Sequence, residues 1–161
     1  MLQHNDIASR IPHQGSMCLL DRVTSWDNHQ ISCEAVSHRA YNNPLRAFGR
    51  LGAACGVEYA AQAMAMHGAL MAEAQAHHGG VATLPKAGYL ASIRGLELFV
   101  DRLDDLLVDL TIHAERLSSG ENSVLYSFSL HAGPALLLSG RATVILDAAG
   151  LSAGAVAFKP L

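Results

Sequence analysis

Residues 52–78 read GAACGVEYAAQAMAMHGALMAEAQAHH, a stretch without proline that is built almost wholly from Ala, Met, Leu, Glu, Gln, Tyr and His. Alanine and unbranched side chains lose little freedom in a helix, so the stretch predicts one long helix. It is apolar nearly all the way round, which marks a helix enclosed by other elements rather than one lying on a surface. His77-His78-Gly79-Gly80 closes it, glycine supplying the stop. Such a helix is about 39 Å long at 1.5 Å of rise per residue, and the economical way to bury it is to curl a sheet around it.

The flanking sequence supplies that sheet. Before the helix, the turn-forming Ile11-Pro12-His13-Gln14-Gly15-Ser16-Met17 leads into a strand expected over 17–25, and Asp27-Asn28-His29 turns the chain into a second over 30–37. After the helix, 89–100 reads as a strand. Leu106, Val108, Leu110, Ile112 and Ala114 alternate with Asp109, Thr111, His113 and Glu115; Val124, Tyr126, Phe128 and Leu130 alternate with Ser127, Ser129 and His131; Leu136, Leu138, Gly140, Ala142, Val144 and Leu146 repeat the pattern. Turns fall at Ser118-Ser119-Gly120 and Ala132-Gly133-Pro134. The expected architecture is α+β: one domain over residues 1–161, two strands, a long buried helix, then about four antiparallel strands in a meander, with a loose tail after Asp147.

Composition narrows the function. The 161 residues are 50% hydrophobic, 16% charged and 6% aromatic, enough for one core that needs no disulfide or metal to hold it together. A net charge of −3 gives no overall attraction to nucleic acid or anionic membrane. Cys18, Cys33 and Cys55 are an odd number without C-x-x-C spacing, and Met1 to Asp6 shows no basic stretch followed by an apolar one, so a reducing, cytoplasmic setting is expected. Glu58, Gln62, His67, Glu73 and Gln75 interrupt residues 51–76 too often for a lone membrane span. Nucleophile-elbow, phosphate-loop, dinucleotide and zinc-protease motifs are absent.

Chemistry centres on the helix. Glu58 stands in its first turns among Val57, Ala60 and Ala61. A carboxyl group there serves either as a general acid kept neutral by apolar neighbours or as a surface partner of the helix dipole. Gln62, one turn on and about 40° round at 3.6 residues per turn, can reach that carboxyl and orient it. His67 falls on the opposite side of the helix and reads as a packed or interface residue; His67 and His78 are too far apart along the axis to share a metal. His13, in a tight loop beside a strand, is either a general base or an ordinary loop histidine. Arg39, Arg46 and Arg50, joined in space by Lys86 and Arg94, form either a site for a phosphate or acidic partner or a scatter of surface charges.

Two of these stretches resemble one family. Ile11-Pro12-His13-Gln14-Gly15-Ser16-Met17-Cys18-Leu19-Leu20-Asp21-Arg22-Val23 and Gly56-Val57-Glu58-Tyr59-Ala60-Ala61-Gln62-Ala63-Met64 are similar to segments of FabZ-type 3-hydroxyacyl-acyl-carrier-protein dehydratases, and Asn43-Pro44-Leu45 to Gly68 looks closest to the divergent branch of bacterial aryl-polyene clusters. The likeness spans about residues 7–147. It implies a hotdog fold and conversion of a 3-hydroxyacyl chain, carried on the phosphopantetheine of an acyl carrier protein, to the trans-2-enoyl thioester, with neither metal nor soluble cofactor. In the family a histidine takes the C2 proton and a helix carboxyl protonates the departing C3 hydroxyl; Glu58 matches that acid and Gln62 its orienting neighbour. The family histidine position is Pro44 here. The resemblance therefore leaves the base to another histidine, His13 first and His38 second, or makes the chain a non-catalytic acyl-binding subunit of a dehydratase complex. A thioesterase, with Glu58 activating water, is the third reading. The resemblance further implies a homodimer or higher oligomer, or a hetero-complex with another hotdog subunit, and an acyl tunnel at the interface lined by Met17, Cys18, Asn43, Pro44, Leu45, Phe48, Gly56, Val57 and Ala61.

Overall fold

The structure, a computed structural model, describes residues 1–79 and 88–146. Its elements are β1 (Leu2–Gln3), α1 (His4–Ala8), β2 (Arg22–Trp26), β3 (Gln30–Ala35), α2 (Gly56–His77), β4 (Tyr89–Leu98), β5 (Leu110–Ser119), β6 (Ser123–Ala132) and β7 (Ala135–Ile145). All seven strands form one antiparallel sheet in the order β1-β2-β3-β5-β6-β7-β4, and α2 packs across its middle against β3, β5 and β6. This is the α+β architecture expected from the sequence.

The helix begins at Gly56 because residues Ala53–Cys55 form a 3-10 turn instead. It ends as expected, with Gly79 at φ +83° and its N–H donating to the Ala76 carbonyl. Tyr59, Ala60, Ala63, Met66, His67 and Leu70 are buried, whereas Val57, Ala61, Ala65, Gly68 and Ala72 form a stripe of small residues that this single chain leaves partly open. The Asp27 carboxylate builds the β2–β3 turn by accepting the N–H groups of His29 (2.7 Å) and Gln30 (3.0 Å). Gly133, at φ +55°, supplies the positive φ that the two-residue β6–β7 turn needs at its first central position.

Three strand boundaries differ from expectation, each because the backbone finds a partner outside the sheet. The first strand starts at Arg22 rather than near 17: the Leu19 N–H is bound by the Gln62 side chain and the Leu20 carbonyl by His4. The second ends at Ala35, because the Val36 N–H donates to Asp21 and Ser37 opens a 3-10 turn. The strand expected from 106 begins at Leu110, because the Leu106 and Leu107 carbonyls accept from His38 and Arg39, leaving Leu107 and Val108 exposed. A register shift after Leu130 also turns Leu136 outward and buries Leu137 with Leu138. The helix α1 was not expected. Lys86 and the segment after Leu146 lie outside the described residues.

Candidate active site

The first two turns of α2 carry the site. Gln62 is fully buried, and its amide is oriented by two backbone groups of the incoming loop: the Leu19 N–H donates to Oε1 (2.8 Å) and Nε2 donates to the Met17 carbonyl (2.7 Å). The second hydrogen on Nε2 then points one turn back along the helix to Glu58 Oε1, 3.1 Å away. The same bonds lay residues 13–19 across the helix start. They bring His13 Nε2 to 3.0 Å from Glu58 Oε1, with both side chains about a quarter to a third exposed (26% and 31%).

Two details decide what this pair can do. His13 Nδ1 is buried and has no hydrogen-bond partner. A buried N–H without an acceptor costs more than a buried bare lone pair, so the favoured tautomer carries its hydrogen on Nε2, the nitrogen that faces Glu58. Glu58 Oε1 thus accepts from Gln62 and stands 3.0 Å from His13 Nε2. Among the described residues the other oxygen, Oε2, has no partner, and it is not among the buried atoms, so it is the one a bound molecule can meet.

His38, the second candidate base, is elsewhere: it is buried, its Nε2 faces the Leu106 carbonyl at 3.2 Å, and burial lowers its pKa. His67 is packed on the far side of the helix, Nδ1 facing the Tyr126 hydroxyl (2.9 Å) and Nε2 donating to the Asp27 carbonyl (2.8 Å). Burial raises the Cys18 thiol and pushes Cys33 up to about 12, which removes both as nucleophiles at neutral pH.

The lining residues separate. Met17 contributes its carbonyl to Gln62, and Cys18 is buried with Sγ 4.0 Å from His4 Nδ1. Gly56 is buried where a Cβ would lie 2.3 Å from Leu138 Cδ2, while Val57 and Leu45 are half-buried. Asn43 does not present its polar atoms to a ligand: Nδ2 donates to the Ser37 carbonyl (2.9 Å) and the Tyr59 hydroxyl (3.1 Å), and Oδ1 accepts the Leu45 N–H (2.9 Å). Pro44 is exposed. Phe48 lines no wall of this chain; it sits fully exposed at φ +52° on a turn closed by mutual Ala47 and Arg50 backbone bonds. A cavity of about 430 Å³ does open at the helix start, between Ala53, Ala54, Leu98 and Phe99, but it excludes His13 and Glu58.

The arginines do not gather. Arg39 bonds the Leu107 carbonyl and Asp109, Arg46 the Ala40 carbonyl, and Arg50 approaches the Asp101 carbonyl, whereas Arg94 lies on β4. What sequence reasoning missed is Tyr59. Since Ser37 Oγ donates to the Leu19 carbonyl (2.7 Å), the Tyr59 hydroxyl donates to Ser37 Oγ (2.9 Å) and accepts from Asn43, pinning the 37–45 loop to the helix. Among the described residues no three His, Cys, Asp or Glu side chains converge as a metal site requires, and no helix is long and apolar enough to cross a membrane.

Seven antiparallel strands around one long helix, with the polar residues gathered at the helix start, define a hotdog domain, and solved structures share the architecture. The dehydratase heterocomplex ApeI:P from Xenorhabdus doucetiae aligns with a TM-score of 0.73 at 17% identity, over 88% of this chain and 90% of that one. A thioesterase family protein from Silicibacter pomeroyi gives 0.58 at 12% identity over 88% and 93%, and zebra fish thioesterase superfamily member 2 gives 0.57 at 14% over 91% and 100%. Residues 5–151 match the ApeP-like family, described as ApeP dehydratase, and the chain belongs to that family. No curated protein matches the sequence.

Proposed function

We propose that this chain dehydrates a 3-hydroxyacyl thioester, carried on the phosphopantetheine arm of an acyl carrier protein, to the trans-2-enoyl thioester, and that it does so beside a second hotdog subunit. The observation that carries the reading is the His13–Glu58 contact of 3.0 Å, made on an oxygen that Gln62 also holds. A dedicated loop histidine and a buried amide converging on one helix carboxylate fit an acid–base centre, and they argue against a purely acyl-binding subunit. The family, whose description is a dehydratase, supports the reaction class. The two-subunit assembly is supported by the structural relative, a dehydratase heterocomplex.

The bonds at Oε1 divide the labour. Glu58 Oε2 takes the C2 proton, the released electron pair forms the C2–C3 double bond, the C3–O bond breaks, and Oε2 returns the proton to the departing oxygen, which leaves as water. Glu58 ends as the carboxylate it began as. In the substrate complex His13 turns Nε2–H onto Oε1 and, with Gln62, holds the carboxylate in one orientation. In this proposal Glu58 is the acid expected from the sequence and takes over the role of base as well, while His13 positions it.

The test is to incubate the purified chain, alone and with its partner subunit, with a 3-hydroxyacyl carrier protein and to follow loss of one water by mass spectrometry. Enoyl product that disappears in Glu58→Gln supports the proposal. Release of free acid makes the chain a thioesterase, and no product under either condition overturns catalysis.

A further inference from the structure

The two edges of the sheet are unlike. At one edge β1 is two residues long, short enough to offer little to a passing strand. At the other, β4 runs for ten residues and, among the described residues, pairs with β7 alone, leaving the N–H and C=O groups of its outer side unpaired along the strand. Tyr89, Leu90, Leu96 and Leu98 stand 54%, 41%, 38% and 45% exposed along it. A long, open, apolar edge is an aggregation hazard unless another strand covers it, so β4 is shaped to be covered.

Charge indicates what covers it. Arg94, mid-strand in β4, lies directly opposite Arg141 of β7, and the two therefore share a face of the sheet. It is the outer face, because Arg141 is exposed and its neighbour Ala142 is buried against the core. Like charges directly opposite one another destabilise a strand pair. Among the described residues no acidic side chain lies within 4.0 Å of either guanidinium; Glu97 occupies the next row, opposite Ser139. A broad depression of about 910 Å³ opens over the pair, with Ser127, Ser139 and Thr143 around it.

A second copy of the chain is a poor cover. Two β4 strands joined antiparallel about a twofold axis, helices on one side of the joined sheet, meet middle to middle. Each Arg94 then falls within a residue or two of its counterpart, with both Arg141 side chains close behind: four guanidinium groups in adjoining positions, with Glu97 of each chain only in the next row. We propose that β4 pairs with the edge strand of a different chain that carries Asp or Glu on its outer face opposite Arg94, and that the Arg94–Arg141 pair selects this partner over a second copy. The proposal rests on the two-subunit reading above and adds the chemistry of the partner's edge.

The test uses the chain itself, with the charge-reversed Arg94→Glu/Arg141→Glu variant standing in for an acidic partner. Both positions are exposed, and matching circular dichroism and melting temperature verify the variant's fold. Sedimentation equilibrium at low salt is expected to show weak self-association of each protein and a mixed dimer on the order of tenfold tighter. Added salt is expected to weaken the mixed dimer and tighten the wild-type one, because it screens attraction in the first and repulsion in the second. A wild-type dimer as tight as the mixture at low salt makes the second copy the occupant and overturns the proposal, as does a mixture that associates no better than wild type. These outcomes are separate from the dehydration assay: a chain that needs a second subunit for activity yet shows no charge selection overturns only the role given to the two arginines.

Discussion

His13 and Glu58, far apart in the chain, meet through a 3.0 Å contact on the one carboxylate oxygen that Gln62 also occupies. Because Gln62 holds Oε1, Glu58→Gln is expected to spare the architecture and remove the chemistry: its amide oxygen can take the place of Oε1, and its NH₂ replaces the free Oε2. Turnover is expected to fall by about 10²–10⁴-fold, the usual worth of positioned proton transfer, with the melting temperature nearly unchanged. Single-turnover dehydration followed by mass spectrometry checks it, and a variant retaining wild-type kcat removes Glu58 from the reaction.

His13 can be tested by its replacement's hydrogen bonds. If it works by donating Nε2–H, His13→Gln retains a donor while His13→Ala does not, so the Gln variant should keep at least about tenfold more kcat than the Ala variant, the worth of roughly 1.4 kcal/mol of lost hydrogen bonding. If His13 itself takes the C2 proton, neither replacement can, and the two variants fall together. Comparing kcat with KM separates this from a binding defect.

Gln62→Ala should cost stability as well as activity. It strips the Leu19 N–H and the Met17 carbonyl of their partner and leaves a void beside a fully buried position. Unsatisfied buried groups cost about 1–3 kcal/mol each, so a loss of about 2–5 kcal/mol is expected, or about 5–15 °C in melting temperature for a chain of this size. Differential scanning calorimetry measures it. Activity assayed well below the new melting point should still be reduced, because Glu58 has lost the amide that orients it.

The helix start offers a packing test. A Cβ on Gly56 would lie 2.3 Å from Leu138 Cδ2 and 3.0 Å from Leu130 Cδ2, and both leucines are themselves fully buried. Gly56→Ala should therefore destabilise by about 1–3 kcal/mol through overpacking, although alanine is the better helix former. A gain in stability on chemical denaturation would mean that the two leucines have room to move.

Where the sequence could be read and where it could not follows from how each feature is encoded. The helix, the alternating strands and the Glu58–Gln62 pair depend on local periodicity, which residue types display directly. The His13–Glu58 meeting depends on Gln62 binding two main-chain groups of a distant loop, and backbone acceptors have no residue signature. For the same reason the strands expected at 17 and 106 start late: Leu19, Leu106 and Leu107 give their backbone groups to side chains from elsewhere. Phe48 stands exposed beside Gly49, at φ +75°, so only a second subunit could enclose it, and contacts between chains leave no local periodicity. The Asn43 amide bonds Tyr59, Ser37 and Leu45, and none of these pairings has a residue signature either.

Acid should unfold the protein through its buried histidines before its carboxylates. His67 is closed in between Tyr126, whose hydroxyl burial pushes up to about 12, and the Asp27 carbonyl, and burial holds the His67 pKa below its ordinary value; His38 is shifted the same way for the same reason. The folded state therefore resists a proton that the unfolded chain accepts near its ordinary pKa of about 6.5. Below that pH the unfolded state binds more protons, so stability present at pH 7.5 is lost as pH falls through about 6.5 toward the folded-state values. Each histidine contributes a slope of up to about 1.4 kcal/mol per pH unit. Asp104, held well below the usual carboxylate range by Arg102, and Asp109, held low by Arg39, lose their contributions only below about pH 4. Urea unfolding between pH 7.5 and 5 thus isolates the histidines. His67→Gln, whose amide can still donate to the Asp27 carbonyl and accept from Tyr126 but takes up no proton, should flatten that slope by up to one proton's worth, and an unchanged slope would take His67 out of the acid response.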